Sequence, residues 1–277
     1  MTDIALGALV GFVTGLHIAS WGMYKDAPHE GFTWRTWVRS PIVAAVAAAA
    51  LVALTSIDPT TPAGLFVLFA VTYGTERAVV EVYKSFFRSE DQSKYTIPMQ
   101  FAIRGRVVES VAARWAAGVA YVVVGLLVLW GVYLLEGVDL GLHPILIVLI
   151  VASPGGWISA FGGAWKDAPI EGFHTFKFFR SPFVSFSYGV LVATLTDSYP
   201  FIFLGSIGLT VATIETYKTF FFPDRPRGKF QGKEPGFPEM LRRRQRVVPL
   251  FVSIWLAVLV CLALALTGSP DGLLLGG

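Results

Sequence analysis

Residues 25–41 read KDAPHEGFTWRTWVRSP, and residues 166–182 read KDAPIEGFHTFKFFRSP. Lys25, Asp26, Pro28, Glu30, Gly31, Phe32, Arg39, Ser40 and Pro41 recur as Lys166, Asp167, Pro169, Glu171, Gly172, Phe173, Arg180, Ser181 and Pro182, each 141 positions on. EVYKSFF at 81–87 and ETYKTFF at 215–221 form a second matched block. A weaker third sets Pro98, Arg104, Arg106 and Val107-Val108 against Pro238, Arg244, Arg246 and Val247-Val248. Identities that keep their order at nearly constant offset mark a tandem duplication. Residues 1–138 and 139–277 are read as its two halves within one integrated membrane domain.

Between these blocks the chain is apolar. It is 54% hydrophobic and 15% charged, with a mean hydropathy of +0.62, outside the soluble globular range. Eight apolar stretches stand out, near 4–22, 41–57, 64–86, 111–135, 144–164, 180–196, 200–221 and 247–267. Most reach the roughly 20 residues that carry a helix across the hydrocarbon layer; the second and sixth are short. Unbroken runs of Ala, Val, Leu and Gly lack the alternation of a barrel strand, and only helices or closed barrels satisfy their backbone in lipid. The expected fold is an all-α polytopic membrane protein of about eight transmembrane helices.

Charge sets the orientation. With the 25–41 loop placed inside, every Lys and Arg falls in or beside an inside segment, while the outside segments carry Asp3, Asp58, Glu136, Asp139, Asp197 and Asp271. This is the positive-inside pattern, so both termini are expected outside and the basic loops in the cytoplasm of a cell bounded by this plasma or inner membrane. The start MTDIALG lacks a basic n-region, so no cleaved signal peptide is expected. An even number of spans per half makes the halves parallel repeats about a pseudo-two-fold axis along the membrane normal. Gly7, Gly11, Gly15, Gly118, Gly155, Gly156, Gly162 and Gly163 are expected to let helices approach closely. Pro154-Gly155-Gly156 is expected to kink or unwind the fifth span.

Two accounts of the retained charges stay open. In the loop, Asp26 can cap a short helix that Gly31 ends, with the aromatics and Arg39 anchoring at the headgroups. That leaves Lys and Glu unexplained. Deeper in the membrane, Glu81 and Glu215 each have a Lys three residues on, Lys84 and Lys218, and Arg77 precedes Glu81 by four. Such groups are either helix-orienting ion pairs or a ligand site. The candidate ligand or ion-pair site is Lys25, Asp26, Glu30, Arg39, Arg77, Glu81, Lys84, Lys166, Asp167, Glu171, Arg180, Glu215 and Lys218. Arg104, Arg106, Arg244 and Arg246 are phosphate-binding candidates, and Asp26, Glu30, Asp167 and Glu171 candidate ligands for Mg²⁺.

That mixture suits a Mg²⁺-dependent enzyme acting at the inner face on a phosphorylated lipid or isoprenoid. A transporter or flippase for an anionic substrate, and an assembly subunit of a membrane complex, are the alternatives. Membrane lipids are the expected partners, with a phosphorylated lipid or nucleotide as ligand and no nucleic acid. The four His residues have no counterparts across the repeat, and His17, within the first span, wants a polar partner. Residues 224–246 are expected to form a basic inner loop drawn to anionic headgroups.

Overall fold

A computed structural model describes residues 2–93, 95, 99–103 and 106–275, without the side chains of Lys166, Asp167, Pro169, Ile170 and Glu171. The described residues form eight long helices: α1 (Asp3–Glu30), α2 (Trp34–Leu54), α3 (Pro62–Val82), α4 (Val111–Glu136), α5 (Pro144–Glu171), α6 (Thr175–Ala193), α7 (Tyr199–Phe220) and, after the one-turn α8 (Met240–Arg243), α9 (Val248–Thr267). A π-helical turn, Tyr83–Phe87, extends α3. Seven helices are long and apolar enough to cross a membrane, and the protein is an all-α integral membrane protein. The eighth long helix, α6, falls short of that apolarity, because Lys177, Arg180 and several serines lie within it.

The ends of α1 and α5 keep the 141-residue spacing of the matched sequence blocks. Helices α1 and α5 are both 28 residues long and start and stop 141 positions apart. Each is about 42 Å long at 1.5 Å per residue, more than the hydrocarbon layer needs. Gly31 and Gly172 terminate them with φ of +78° and +79°, a backbone region that glycine enters without a Cβ penalty. The KDAPHE segment is therefore the last turns of α1, with Pro28 inside the helix. It is not a separate capped helix as the sequence suggested, and Asp26 caps nothing. Helix α5 likewise runs unbroken through Pro154-Gly155-Gly156, so the expected unwinding does not occur.

In lipid, helices gain nothing from hiding apolar surface from water, so close contact and small residues decide who packs with whom. Helix α1 lies along α2, with Gly11 facing Ala44 and Ala48, and Gly15 facing Ser40 and Pro41. Helix α5 lies along α6 in the same manner, with Gly156 facing Ser181, Pro182 and Ser185. One contact has exchanged sides: where Gly11 meets Ala48, the corresponding Ala152 meets Gly189. Gly162 and Gly163 face open space and do not serve helix approach.

Helices α3 and α7 cross at the centre of the bundle. A Cβ on Gly74 would stand 2.5 Å from the Leu204 carbonyl, and one on Gly208 would stand 2.0 Å from the Ala70 carbonyl. The core gathers around this crossing, with Leu68, Phe69, Ala70, Tyr73, Ile202, Phe203 and Leu209 buried. Helices α4 and α9 are peripheral, α4 against α7 and α9 against α3. At the acidic end, Glu136 accepts the Tyr199 N–H at 2.8 Å, supplying a carboxylate at the start of α7.

Candidate functional site

The ends of α1, α3, α5 and α7 and the segments following α3 and α7 form the basic end of the bundle. The site is built on α1 and α7. Lys25 donates to Glu215 at 2.7 Å, a pair largely shielded from solvent that joins residues 190 apart in sequence. Beyond α7, residues 221–247 cross under the end of α1 and satisfy its free backbone groups. Pro28 has no N–H to give the Tyr24 carbonyl, and Arg244 donates to that carbonyl at 3.4 Å instead. Arg244 also donates to the Pro223 carbonyl at 3.0 Å and lies over the Tyr24 ring. Phe237 N–H donates to the Pro28 carbonyl at 2.9 Å. Lys229 bridges Glu30 at 2.9 Å and Asp26 at 3.6 Å, and Phe230 stacks on His29 with ring centroids 4.2 Å apart.

Between α1, the end of α7 and this segment lies a cavity of about 280 Å³. Lys25, Lys218, Arg227, Lys233 and Arg244 line it, against Asp224 and Glu234. Tyr24, Phe222 and Leu241 supply an apolar wall. A larger, open cavity of about 630 Å³ adjoins it, sharing Asp224, Arg227, Lys233 and Glu234 and adding His174, Lys177 and Arg225. An excess of cations around a cleft beside apolar side chains favours an oxyanion with a hydrophobic attachment.

A second charged group sits on α3. Glu76, fully buried, is held by Arg77 through Nε at 2.6 Å and Nη2 at 3.0 Å. Arg77 continues to Glu81 at 3.8 Å, and Lys84 reaches Glu81 at 3.3 Å. Trp21 links the two groups. Its ring lies 5.4 Å from Lys25 Nζ and 5.5 Å from Arg77 Cζ. Its N–H donates to the Tyr73 hydroxyl at 2.8 Å. That hydroxyl lies 3.3 Å from His17 Nδ1, and with Trp21 donating to its oxygen, its own proton is available to His17. The polar partner that His17 needs at that depth is Tyr73.

The structure thus divides the sequence candidates. Lys25, Lys218, Glu215 and Arg244 come together at the smaller cavity, and Asp26 and Glu30 meet Lys229 beside it. Arg77, Glu81 and Lys84 form the separate α3 group. Arg106 and Arg246 are exposed, and Arg39 and Arg180 are half-buried on α2 and α6. Arg104 lies outside the described residues, as do the side chains of Lys166, Asp167 and Glu171. Among the described residues, no three His, Cys, Asp or Glu side chains converge in a metal-binding group. Arg227, Lys229 and Lys233 escaped the comparison of halves because nothing in residues 84–110 matches them; only the basicity of 224–246 pointed there. Compared with protein-family models, curated proteins and solved structures, the chain matches none.

Proposed function

We propose that this protein takes a phosphorylated amphiphile from the inner leaflet, with the phosphate in the smaller cavity and the tail toward the bilayer. The observation that carries this reading is the convergence of Lys25, Lys218, Arg227, Lys233 and Arg244 on one cavity with an apolar wall. Arg244 is fixed by two backbone carbonyls and Lys25 by Glu215, so donors are held in place before a ligand arrives. Chemistry on a phosphorylated lipid or isoprenoid is the activity this placement suits best. The adjoining cavity offers room for a soluble reaction partner. For Mg²⁺, Asp26 and Glu30 are engaged by the Lys229 ammonium, so an ion held there has to displace it. The reading therefore rests on the cations.

The orientation that accompanies it places the basic end in the cytoplasm and both termini outside, as the charge asymmetry requires. A cysteine introduced at Asp139 should react with an impermeant maleimide on intact cells, and one at Lys233 should not. The parallel-repeat reading is supported by the common 141-residue spacing of α1 and α5 and by the reciprocal Gly74–Leu204 and Gly208–Ala70 approaches. Reciprocity of this kind is what a two-fold axis between equivalent helices produces.

Ligand binding is tested by thermal unfolding of the purified protein in neutral detergent with short-chain phosphatidic acid or an isoprenyl diphosphate. A ligand at about 100 times its Kd adds about 2.7 kcal/mol, a readily measured rise in Tm. The double variant Lys218→Gln, Lys233→Gln should lose that rise while folding normally. No rise with either ligand at millimolar concentration would overturn the proposal.

A further inference from the structure

The α3 group shows how a guanidinium in this protein is satisfied. Arg77 presents Nε–H and Nη2–H, the two donors on one edge of its plane, to both oxygens of Glu76. Arg88, just past the π-helical turn that ends α3, presents the same edge to nothing. It is 5% exposed, and both its Nε and its Nη2 are buried without a hydrogen-bond partner. Among the described residues it is the one arginine with both of these donors buried and without a partner. The rest of Arg88 is held firmly. Its Nη1 donates to the Tyr95 hydroxyl at 2.8 Å, and its guanidinium lies 4.2 Å from the Tyr95 ring centroid. Its backbone N–H donates to Tyr83 at 2.9 Å, and its carbonyl accepts from Gln100 at 3.0 Å.

A second guanidinium is close by. Arg39 of α2 lies within Coulomb range of both Arg77 and Arg88, and its own Nε is also buried without a partner. Like charges do not gather around unsatisfied donors in a protein interior unless an anion completes the arrangement. Of the carboxylates at hand, Glu76 has both oxygens occupied by Arg77, and Glu90 reaches Arg88 only through the Tyr95 hydroxyl, from which it accepts at 2.8 Å. The position identifies the anion. Arg88 stands one residue beyond the membrane-spanning segment Pro62–Phe87, and Arg39 lies in the first turns of α2 beside the exposed Trp34. This is the depth at which aromatic side chains mark the interface and phospholipid phosphates lie.

We propose that Arg88 and Arg39 form an oxyanion site at the basic end of the α2–α3 seam, separate from the α1–α7 cavity, occupied by a phosphate group. A tetrahedral phosphate offers two oxygens to the Arg88 edge in parallel hydrogen bonds and a third to Arg39. The site is confined to the first half, because position 222, which corresponds to Arg88, is Phe. It binds whether or not the α1–α7 cavity takes a ligand.

The test uses the full-length protein reconstituted in nanodiscs of phosphatidylcholine with phosphatidylglycerol. ³¹P–¹⁵N dipolar recoupling on protein labelled with ¹⁵N-guanidinium arginine should show phosphate in direct contact with guanidinium groups, and the Arg88 part of that contact should be lost in Arg88→Lys while any contact of Arg227 and Arg244 in the α1–α7 cavity stays. The lysine variant keeps the charge and the fold but cannot present two parallel N–H groups. By native mass spectrometry its affinity for phosphatidylglycerol should fall about ten-fold, the equivalent of one charge-assisted hydrogen bond. Addition of inorganic phosphate to detergent-purified protein separates the sources. Displacement of the retained lipid identifies a site that accepts phosphate itself, whereas no displacement with the lipid contact intact identifies a headgroup site. Absence of a ³¹P contact in the wild type, or an unchanged lipid affinity in a folded Arg88→Lys protein, would overturn the proposal.

Discussion

Glu81 and Glu215 occupy the same position in the two copies of one motif and do different work. Glu81 is more than a third exposed, and the partners on its own helix are Lys84 and Arg77. Glu215 is largely shielded and pairs with Lys25 of α1, in the other half of the chain. The surroundings extend the contrast. Beside Glu81 the first copy has the buried Glu76–Arg77 pair, whereas the second has Thr210 and Val211 at the corresponding positions. His17, Trp21 and Tyr73 correspond to Ile158, Gly162 and Ile207. The first motif stands beside a buried ion pair, and the second lends its carboxylate to α1.

The strongest way to break this contrast is to remove charge from the buried pair. Glu76→Gln leaves the buried Arg77 with only its longer contact to Glu81 and should destabilise the protein by about 3 kcal/mol in denaturant titrations in detergent. Thr210→Val, the corresponding change in the second copy, should cost about 1 kcal/mol or less, since Thr210 donates within its own helix to Ser206. Equal losses would show that the two interiors are not specialised. The central crossing should respond symmetrically instead. Gly74→Ala and Gly208→Ala each place a Cβ against a backbone carbonyl, and each should cost about 1–3 kcal/mol by the same measurement. A large loss at one and none at the other would remove the reciprocal contact between copies. Double-mutant cycles sharpen the comparison at the smallest scale. Coupling between Lys25 and Glu215 should be about 1–2 kcal/mol, against about 0.3–0.5 kcal/mol between Glu81 and Lys84 on one helix. Equal couplings would mean that the cross-chain pair is no better shielded than the local one.

The sequence reading went furthest where a rule acts on consecutive residues. Apolar runs located all eight long helices, and the helix-ending role of Gly31 was legible in the EGF triplet. It went wrong where a local signal was overridden from elsewhere. Asp26 reads as the cap of a separate short helix, yet α1 continues through it and through Pro28, and Arg244, 216 positions beyond that proline, donates to the Tyr24 carbonyl that it leaves unpaired. Pro154-Gly155-Gly156 reads as a kink or an unwound turn, yet the helix does not unwind there, and Gly156 is where α5 closes on α6, as Gly15 is where α1 closes on α2. For Arg244 this also supplies a structural reason for its retention alongside the prolines. The retained lysine of the loop finds its reason in Glu215, the carboxylate of another retained block.

By itself, the sequence determined that the chain lives in a membrane, where its helices run and which end carries the cations. These properties are additive along the chain: hydropathy sums over a window, and charge counts loop by loop. The tertiary structure alone decided which acid meets which base between segments distant in the chain. It set Lys25 against Glu215 rather than leaving Glu215 to Lys218, and Lys229 between Asp26 and Glu30. It also left one edge of Arg88 without a partner. Pairing depends on which helix faces which, and in lipid that is settled by the close approach of small residues scattered across the whole chain.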